Sequence, residues 1–289
     1  MSSVARDGRK GQLVEGEFTL TAEDFRSIAA TLHAEAGIAL HESKATLVYS
    51  RLAKRLRALG MENFRDYCAL IADRDAGVDE RQKMIAALTT NVTRFYREPH
   101  HFDHLRDKVI VPLAEAAKRG GSIRIWSAGC SNGQEPYTIA LTILSVLPNA
   151  YDLDVKILAT DIDPNMIREG REGRYPASAI EPVPADQRKW FDKSGDEYVA
   201  TEQLKRLVSF KELNLMGAWP MKKAYDAIFC RNVVIYFEEE TQSKVFSRFV
   251  PLMSPKARLY IGHSERLIGP AADHMVTDGV TTYAMKGAK

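Results

Sequence analysis

The chain has 289 residues, 45% of them hydrophobic and 27% charged, with a formal net charge of +2. Those values describe a folded globular protein of one large or two modest domains, and exclude both a disordered chain and one whose overall field would draw it to nucleic acid. Cys68, Cys130 and Cys230 are odd in number and widely spaced, which excludes a disulfide framework or a zinc cluster and fits a reducing cytoplasm.

Met1 to Glu15 carries Arg6, Arg9 and Lys10 with no apolar stretch behind them, so it is no signal peptide and reads as a disordered tail. No uninterrupted apolar run approaches the roughly 20 residues that span a bilayer. From Thr21, a candidate cap with Asp24 three residues on, Phe25, Ile28 and Leu32 recur at helical spacing until Gly37. A second helix is predicted from about Ser43 to Gly60, with Val48, Leu52, Leu56 and Leu59 on one stripe. Lys44, Arg51 and Arg55 lie on the next stripe, with Lys54 beside them, and no acidic residue interrupts Lys44 through Arg57. Two further helices, around Phe64–Ile71 and Glu80–Leu88, complete an all-α domain over 16–90. A linker and junction helix over 91–119 follow.

After Gly120-Gly121 the texture changes. Ile123–Trp126 is a short β-type run followed by a glycine-containing turn and a helix opening near Pro136; Val155–Ala159 is a second strand, ending at Thr160-Asp161. Tyr225–Cys230, Arg258–Ile261 and Thr281–Met285 are further strands, with a helix at about Glu239–Met253 between the first two. This alternation predicts a mostly parallel α/β sheet over 120–289, covered on both faces and closed by an antiparallel strand. Trp190-Phe191, Glu197–Ala200 and Arg206–Lys211 break the alternation and read as a small antiparallel β subdomain over about 180–213.

In open α/β sheets ligands bind beyond the carboxyl ends of the strands. Two such ends carry suitable chemistry here. Ser127–Glu135 contains Gly129 and Gly133, which let backbone approach a ligand, and Asp161 can accept both hydroxyls of a ribose. Either feature alone has a plainer reading: the glycines could serve packing, and Asp161 could cap the helix that starts near Pro164. Together they favour a nucleoside ligand, without the GxGxxG order of a dinucleotide site.

Thr90-Asn91-Val92-Thr93-Arg94-Phe95-Tyr96-Arg97-Glu98 at the junction, Cys230-Arg231-Asn232-Val233-Val234-Ile235-Tyr236-Phe237 after a strand, and Gly262-His263-Ser264-Glu265 add three further blocks. With Ser127–Tyr137 and Ala159–Asp163, they resemble the motif set of the CheR-type chemoreceptor methyltransferases, in order from about Phe18 to Tyr283. The resemblance implies a Rossmann-like methyltransferase fold behind an all-α domain, with S-adenosylmethionine as cofactor and S-adenosylhomocysteine as product. It implies that Asn91, Thr93 and Arg97 border the cofactor, that Glu135 and Asp161 bind its polar parts, and that Asn214, Leu215, Asn232 and Val233 line it. Arg97 and Tyr236 are the residues it sets beside the transferred methyl. The first loop departs from the usual acidic, glycine-rich methyltransferase loop by reading Ser-Ala-Gly-Cys-Ser-Asn.

Plainer readings stand beside these roles. Asn91 and Thr93 could cap a turn, Tyr236 could be a core residue, and Arg97 could pair with Glu98. Cys130 and Cys230 read as small buried hydrophobes, and His263 as structural. The implied substrate is glutamate side chains on the cytoplasmic helical domain of chemoreceptors, met by a cytoplasmic protein recruited to receptor arrays. Nucleic acid, membrane insertion and a metal are not expected, and a monomer is the working assumption. Lys44, Arg51, Lys54 and Arg55 would dock the acidic receptor helices. Asp192 to Leu207 has only Gly195, which points to independence from a receptor tether peptide. A small-molecule methyltransferase, or a non-catalytic nucleoside-sensing adaptor, are the alternatives on the same fold.

Overall fold

The computed structural model describes residues 11–287, and the chain divides into two compact units, Met1–Thr90 and Asn91–Lys289. Of the stretch read as a disordered tail, residues 1–10 lie outside the described residues. Beyond them Gln12–Val14 forms strand β1, paired antiparallel with β2 (Leu20–Thr21), so that part of the reading is corrected. Strand β2 leads directly into α1 (Ala22–Ala36) through a capping box: the Thr21 hydroxyl accepts the Asp24 N–H at 3.1 Å, and the Asp24 carboxylate accepts the Thr21 N–H at 3.1 Å. Helix α1 buries Phe25, Ile28 and Leu32, and α2 (Ala45–Leu59) buries Val48, Leu52 and Leu56, the stripes that the periodicity picks out; Leu59 at the last turn is exposed. Helices α3 (Phe64–Ala72) and α4 (Val78–Leu88) pack against them.

The basic stripe of α2 divides. Arg51 Nη1 donates to the carbonyls of Ala87, Leu88 and Thr89 at 3.2, 2.9 and 2.7 Å, satisfying the last turn of α4, which lacks intrahelical partners. Arg55 forms a fork with Glu80, Nε to Oε1 at 2.9 Å and Nη2 to Oε2 at 2.6 Å, and Glu80 is also bound by the Tyr67 hydroxyl at 3.1 Å. These two arginines hold α4 to α2. Only Lys44 and Lys54 of the four are exposed.

In the second unit, α5 (His100–Leu105) runs through a π-helical stretch, Arg106–Ile110, into α6 (Val111–Lys118). Phe95, Phe102, Leu105, Val109 and Ile110 belong to the same buried cluster as the central strands, so the segment read as a linker is part of this unit's core. The chain continues through β3 (Ile123–Ala128), α7 (Gln134–Val146), β4 (Val155–Asp161) and α8 (Pro164–Glu172). Next come β5 (Arg174–Pro176), α9 (Ala177–Ile180), β6 (Phe191–Ser194), β7 (Glu197–Ala200), α10 (Glu202–Arg206) and β8 (Val208–Glu212). It ends with β9 (Tyr225–Cys230), α11 (Glu239–Phe249), β10 (Met253–Ile261), β11 (Met275–Gly279) and β12 (Thr282–Met285).

The main sheet has seven strands in the order β11-β12-β10-β9-β3-β4-β8. From β10 to β8 all neighbours are parallel, and β12 closes on β10 antiparallel, with β11 beyond it. The small sheet has the order β5-β7-β6. The stretch Arg206–Lys211 does not belong to it: β8 pairs with β4 in the register Ile157↔Val208 and forms the edge of the main sheet. Period-two alternation places side chains on faces but carries no information about the partner strand, which is why the sequence assigned this run to the wrong sheet.

Candidate cofactor site

The carboxyl ends of the parallel neighbours β9, β3 and β4 lie side by side, and the motif residues gather there. After β3 the chain turns through Gly129, at φ +83°, where a Cβ would lie 2.3 Å from Val233 Cγ2, so only glycine lets this loop pass the segment after β9. The Gly129 and Cys130 N–H groups donate to the Thr160 carbonyl at 2.7 and 2.9 Å. Asp161 then pins the loop from below: Oδ2 accepts the Ser131 N–H at 2.8 Å and Oδ1 the Asp163 N–H at 3.0 Å. Burial pushes the Asp161 carboxyl up, and these backbone donors pull it back only in part. The cap of α8 is Asp163, accepting the Asn165 N–H at 2.9 Å, so Asp161 is free of that duty.

Asn91 joins this network at both ends: its Nδ2 donates to Asp163 Oδ2 at 2.8 Å, and its carbonyl accepts the Ser131 hydroxyl at 2.7 Å. Thr93 lies half-buried in the same loop. Leu213 donates its N–H to the Asp161 carbonyl at 2.9 Å, which brings the following Asn214 and buried Leu215 to this end of the sheet; Asn214 Oδ1 accepts the Met216 N–H at 2.9 Å.

On the other side, Glu135 in the first turn of α7 accepts the Ser127 hydroxyl at 2.7 Å and Arg231 Nη1 at 3.0 Å. Burial pushes its carboxyl up, opposed by Arg231 and Ser127. Arg231 itself is the principal residue that the sequence reading missed. Its side chain is 1% exposed, lies 3.2 Å from Glu98 Oε2, donates to the Arg97 carbonyl and stacks over the Phe102 ring with Cζ at 5.5 Å. Glu98 therefore pairs with Arg231 and with His263, whose Nδ1 lies 3.0 Å from Oε1, and not with Arg97. Burial raises the Glu98 carboxyl, but Arg231 and His263 outweigh it and the net direction is down. The Arg97 guanidinium instead turns back to the Val92 carbonyl at 3.0 Å.

Glu265 is the second missed residue. Its buried carboxylate accepts four N–H groups, from Asn232 at 2.9 Å, Val233 at 2.9 Å, Ile235 at 3.3 Å and Gly262 at 2.5 Å. Burial pushes its pKa up against these donors. The clamp holds Asn232 at φ +60°, and Gly262 makes room for it, since a Cβ there would lie 2.5 Å from Asn232 Nδ2. Arg231 sits inside a block already quoted for its resemblance, and Glu265 closes another; a lone charged residue in a motif was the available signal for both.

Asn232 Oδ1 is buried without a hydrogen-bond partner among the described residues. An orphaned acceptor in the segment that packs against the glycine loop fits a ligand bearing N–H or O–H donors, as an adenosyl group does. Tyr236 ends a 3₁₀ turn, Val234–Tyr236, and is 36% exposed, which sets aside a core role. Cys130 and Cys230 are buried and burial pushes both thiols up, as packing residues require. Glu98, His100 and His101 place ligating atoms within 4.8 Å of one another, but the Arg231 guanidinium beside that carboxylate opposes a cation there.

A mostly parallel sheet with a glycine loop after one central strand and an aspartate at the tip of the next is the nucleoside-binding arrangement of the Rossmann-like class, to which S-adenosylmethionine-dependent methyltransferases belong. Residues 91–283 match the CheR methyltransferase, SAM binding domain, and residues 23–89 match the CheR methyltransferase, all-alpha domain. A probable chemotaxis protein methyltransferase of Rhizobium etli is 51% identical over 87% of this chain and 96% of its own length. Chemotaxis protein methyltransferase 2 of Pseudomonas aeruginosa is 42% identical over 93% and 95%, and the chemotaxis protein methyltransferase of Escherichia coli is 35% identical over 99% of both chains. The chain belongs to the CheR methyltransferase family, and its cofactor is S-adenosylmethionine.

Proposed function

We propose that this protein transfers the methyl group of S-adenosylmethionine to glutamate side chains on the cytoplasmic helices of chemoreceptors, forming methyl esters. The observation that carries the proposal is the kinship with chemotaxis methyltransferases across both units, together with an exposed rim at the site. Val92, whose carbonyl accepts from Arg97, is 77% exposed, and Ile235, next to Tyr236 in sequence, is 42% exposed. Such a rim suits a macromolecular substrate better than the closed pocket of a small-molecule methyltransferase, and the presence of Arg97 and Tyr236 disfavours a non-catalytic adaptor.

The bound cofactor supplies a methyl activated by sulfonium. A glutamate with reference pKa near 4.3 is ionised at neutral pH, so the chain needs to furnish no general base. Opposite charges vanish as the carboxylate attacks, and a site that held them too tightly would raise the barrier. The protein's task is therefore alignment. Arg97 orients the carboxylate through its non-attacking oxygen, and Tyr236 closes the opposite side. Asp161 takes the ribose and Glu135 the methionyl ammonium, while Asn91, Thr93, Asn214, Leu215, Asn232 and Val233 line the cofactor.

Docking falls to Lys54, exposed on α2, and Lys44, exposed just before it, because Arg51 and Arg55 are committed within the helical unit. The hairpin of β6 and β7 closes with Ser194 opposite Glu197, a turn too short to grip a peptide, which supports action without a tether. Among the described residues no helix is long and apolar enough to cross a membrane, and the proposal places the protein in the cytoplasm beside receptor arrays. Incubation with labelled S-adenosylmethionine and receptor-containing membranes tests it. Base-labile label on the receptor is expected; label confined to small molecules, or none, rejects it.

A further inference from the structure

We infer that Arg231 is a positioning residue for methyl transfer: it latches the Tyr96–Glu98 turn and thereby aims Arg97. This rests on the role proposed above for Arg97.

The turn is strained. Tyr96 and Glu98 stand at φ +54° and +57°, a left-handed conformation that costs a non-glycine residue on the order of 1–3 kcal/mol and persists only where surroundings over-determine it. The carbonyl between these two residues is that of Arg97, and Arg231 binds it. The same guanidinium holds Glu98 Oε2 at 3.2 Å and Glu135 Oε2 at 3.0 Å. Residues 95 and 96 are fastened separately, by Gln134 Oε1 accepting the Phe95 N–H at 2.9 Å and Thr138 Oγ1 accepting the Tyr96 N–H at 3.3 Å. Those two ties fix the entrance of the turn to α7. Its exit, where Arg97 leaves the backbone, has two backbone bonds, the Arg97 N–H to the Arg94 carbonyl at 3.3 Å and the His101 N–H to the Glu98 carbonyl at 3.1 Å, and its side-chain ties are Arg231 and, through Glu98, His263.

A lysine cannot replace this arrangement. Two hydrogen-bond acceptors, the Arg97 carbonyl and Glu135 Oε2, with Glu98 Oε2 in ion-pair contact, need two nitrogens of one planar fork in fixed relation, whereas an ammonium is a single point on a flexible stem. Arg231→Lys preserves the charge but releases the exit of the turn. A displacement of about 1 Å at a substrate-positioning group can cost on the order of a hundredfold in rate, so single-turnover methyl transfer should fall between about tenfold and a hundredfold.

The discriminating experiment is a double-mutant cycle on single-turnover rate at saturating S-adenosylmethionine, with Arg97→Ala, Arg231→Lys and the double variant, each confirmed as folded by its melting transition. If Arg231 acts through Arg97, the double variant is no slower than Arg97→Ala alone. Multiplying penalties would overturn the inference, because Arg231 would then act independently. Should Arg97→Ala transfer methyl at the wild-type rate, the proposed role of Arg97 fails and takes this inference with it, so the two failures are told apart. If Arg231→Lys does not fold, Glu98→Gln loosens the same latch from the other side and enters the same cycle, with the same outcomes supporting or overturning it.

Discussion

Replacing Arg55 by alanine separates a docking role from a structural one. Its guanidinium grips Glu80 through two contacts of 2.9 and 2.6 Å, and the Glu80 side chain is 5% exposed against 24% for Arg55. Removing one partner of a buried pair costs about 3–5 kcal/mol, because the remaining charge is stranded. Here Tyr67 still donates to Glu80 at 3.1 Å, and water can enter where the arginine was partly open, so about 2–4 kcal/mol is the reasonable range. In a domain of 60–100 residues each kcal/mol moves the midpoint by roughly 4–8 °C. The helical unit of Arg55→Ala should therefore melt at least about 8 °C lower. Exposed Lys44→Ala and Lys54→Ala should stay within about 0.5 kcal/mol of wild type. Calorimetry of the full chain reads both, and receptor methylation measured well below the lowered midpoint should be near normal in Arg55→Ala. A variant that melts like wild type yet methylates receptor slowly at every temperature would refute the argument and return Arg55 to the docking surface.

Lys44→Ala/Lys54→Ala should slow methylation of intact receptor and weaken its salt dependence while leaving cofactor affinity unchanged; a normal rate and salt response would reduce α2 to a solvated face. Asp161→Ala loses the acceptors of the Ser131 and Asp163 N–H groups as well as the proposed ribose contact, so affinity for S-adenosylhomocysteine should fall at least about tenfold. Titration calorimetry showing unchanged affinity in a folded variant would remove Asp161 from the site. Tyr236→Phe should lower single-turnover methyl transfer far more than cofactor affinity, with similar profiles for both proteins from about pH 6 to 9; a tenfold rise per pH unit in wild type that vanishes in the variant would make Tyr236 a general base. Burial, aided by Arg231, pushes the His101 pKa down to about 3. The unfolded chain thus binds a proton near pH 6.5 that the folded chain refuses until about pH 3, and stability should fall by about 1.4 kcal/mol per unit as pH drops below 6.5. The raised carboxyls of Glu135, Asp161 and Glu265 slope the other way, so the readout is the difference from His101→Gln, which should lack this loss; parallel stability curves would contradict the assignment.

The sequence by itself determined the local elements and the family. Thr21 and Asp24 announce the start of α1 because a capping box is a contact between residues three apart, and Gly37 ends the helix for an equally local reason. Tyr225–Cys230 is bounded as predicted because its β-type run is continuous, and the blocks around Arg97, Asn232 and Glu265 identify the family because their order along the chain is itself the signal. Tertiary structure alone decided what long polar side chains do. Arg51 and Arg55 read as a free basic stripe since their partners, the carbonyls at the end of α4 and Glu80, lie 25 to 38 residues away. Arg231 and Glu98 are separated by more than a hundred residues and meet where α5 packs on the end of β9, Phe102 lying against both Phe229 and Arg231. The same holds for β8: alternation fixed its faces, but which strand it joined depended on hydrogen bonds to β4, a partner that no local pattern encodes.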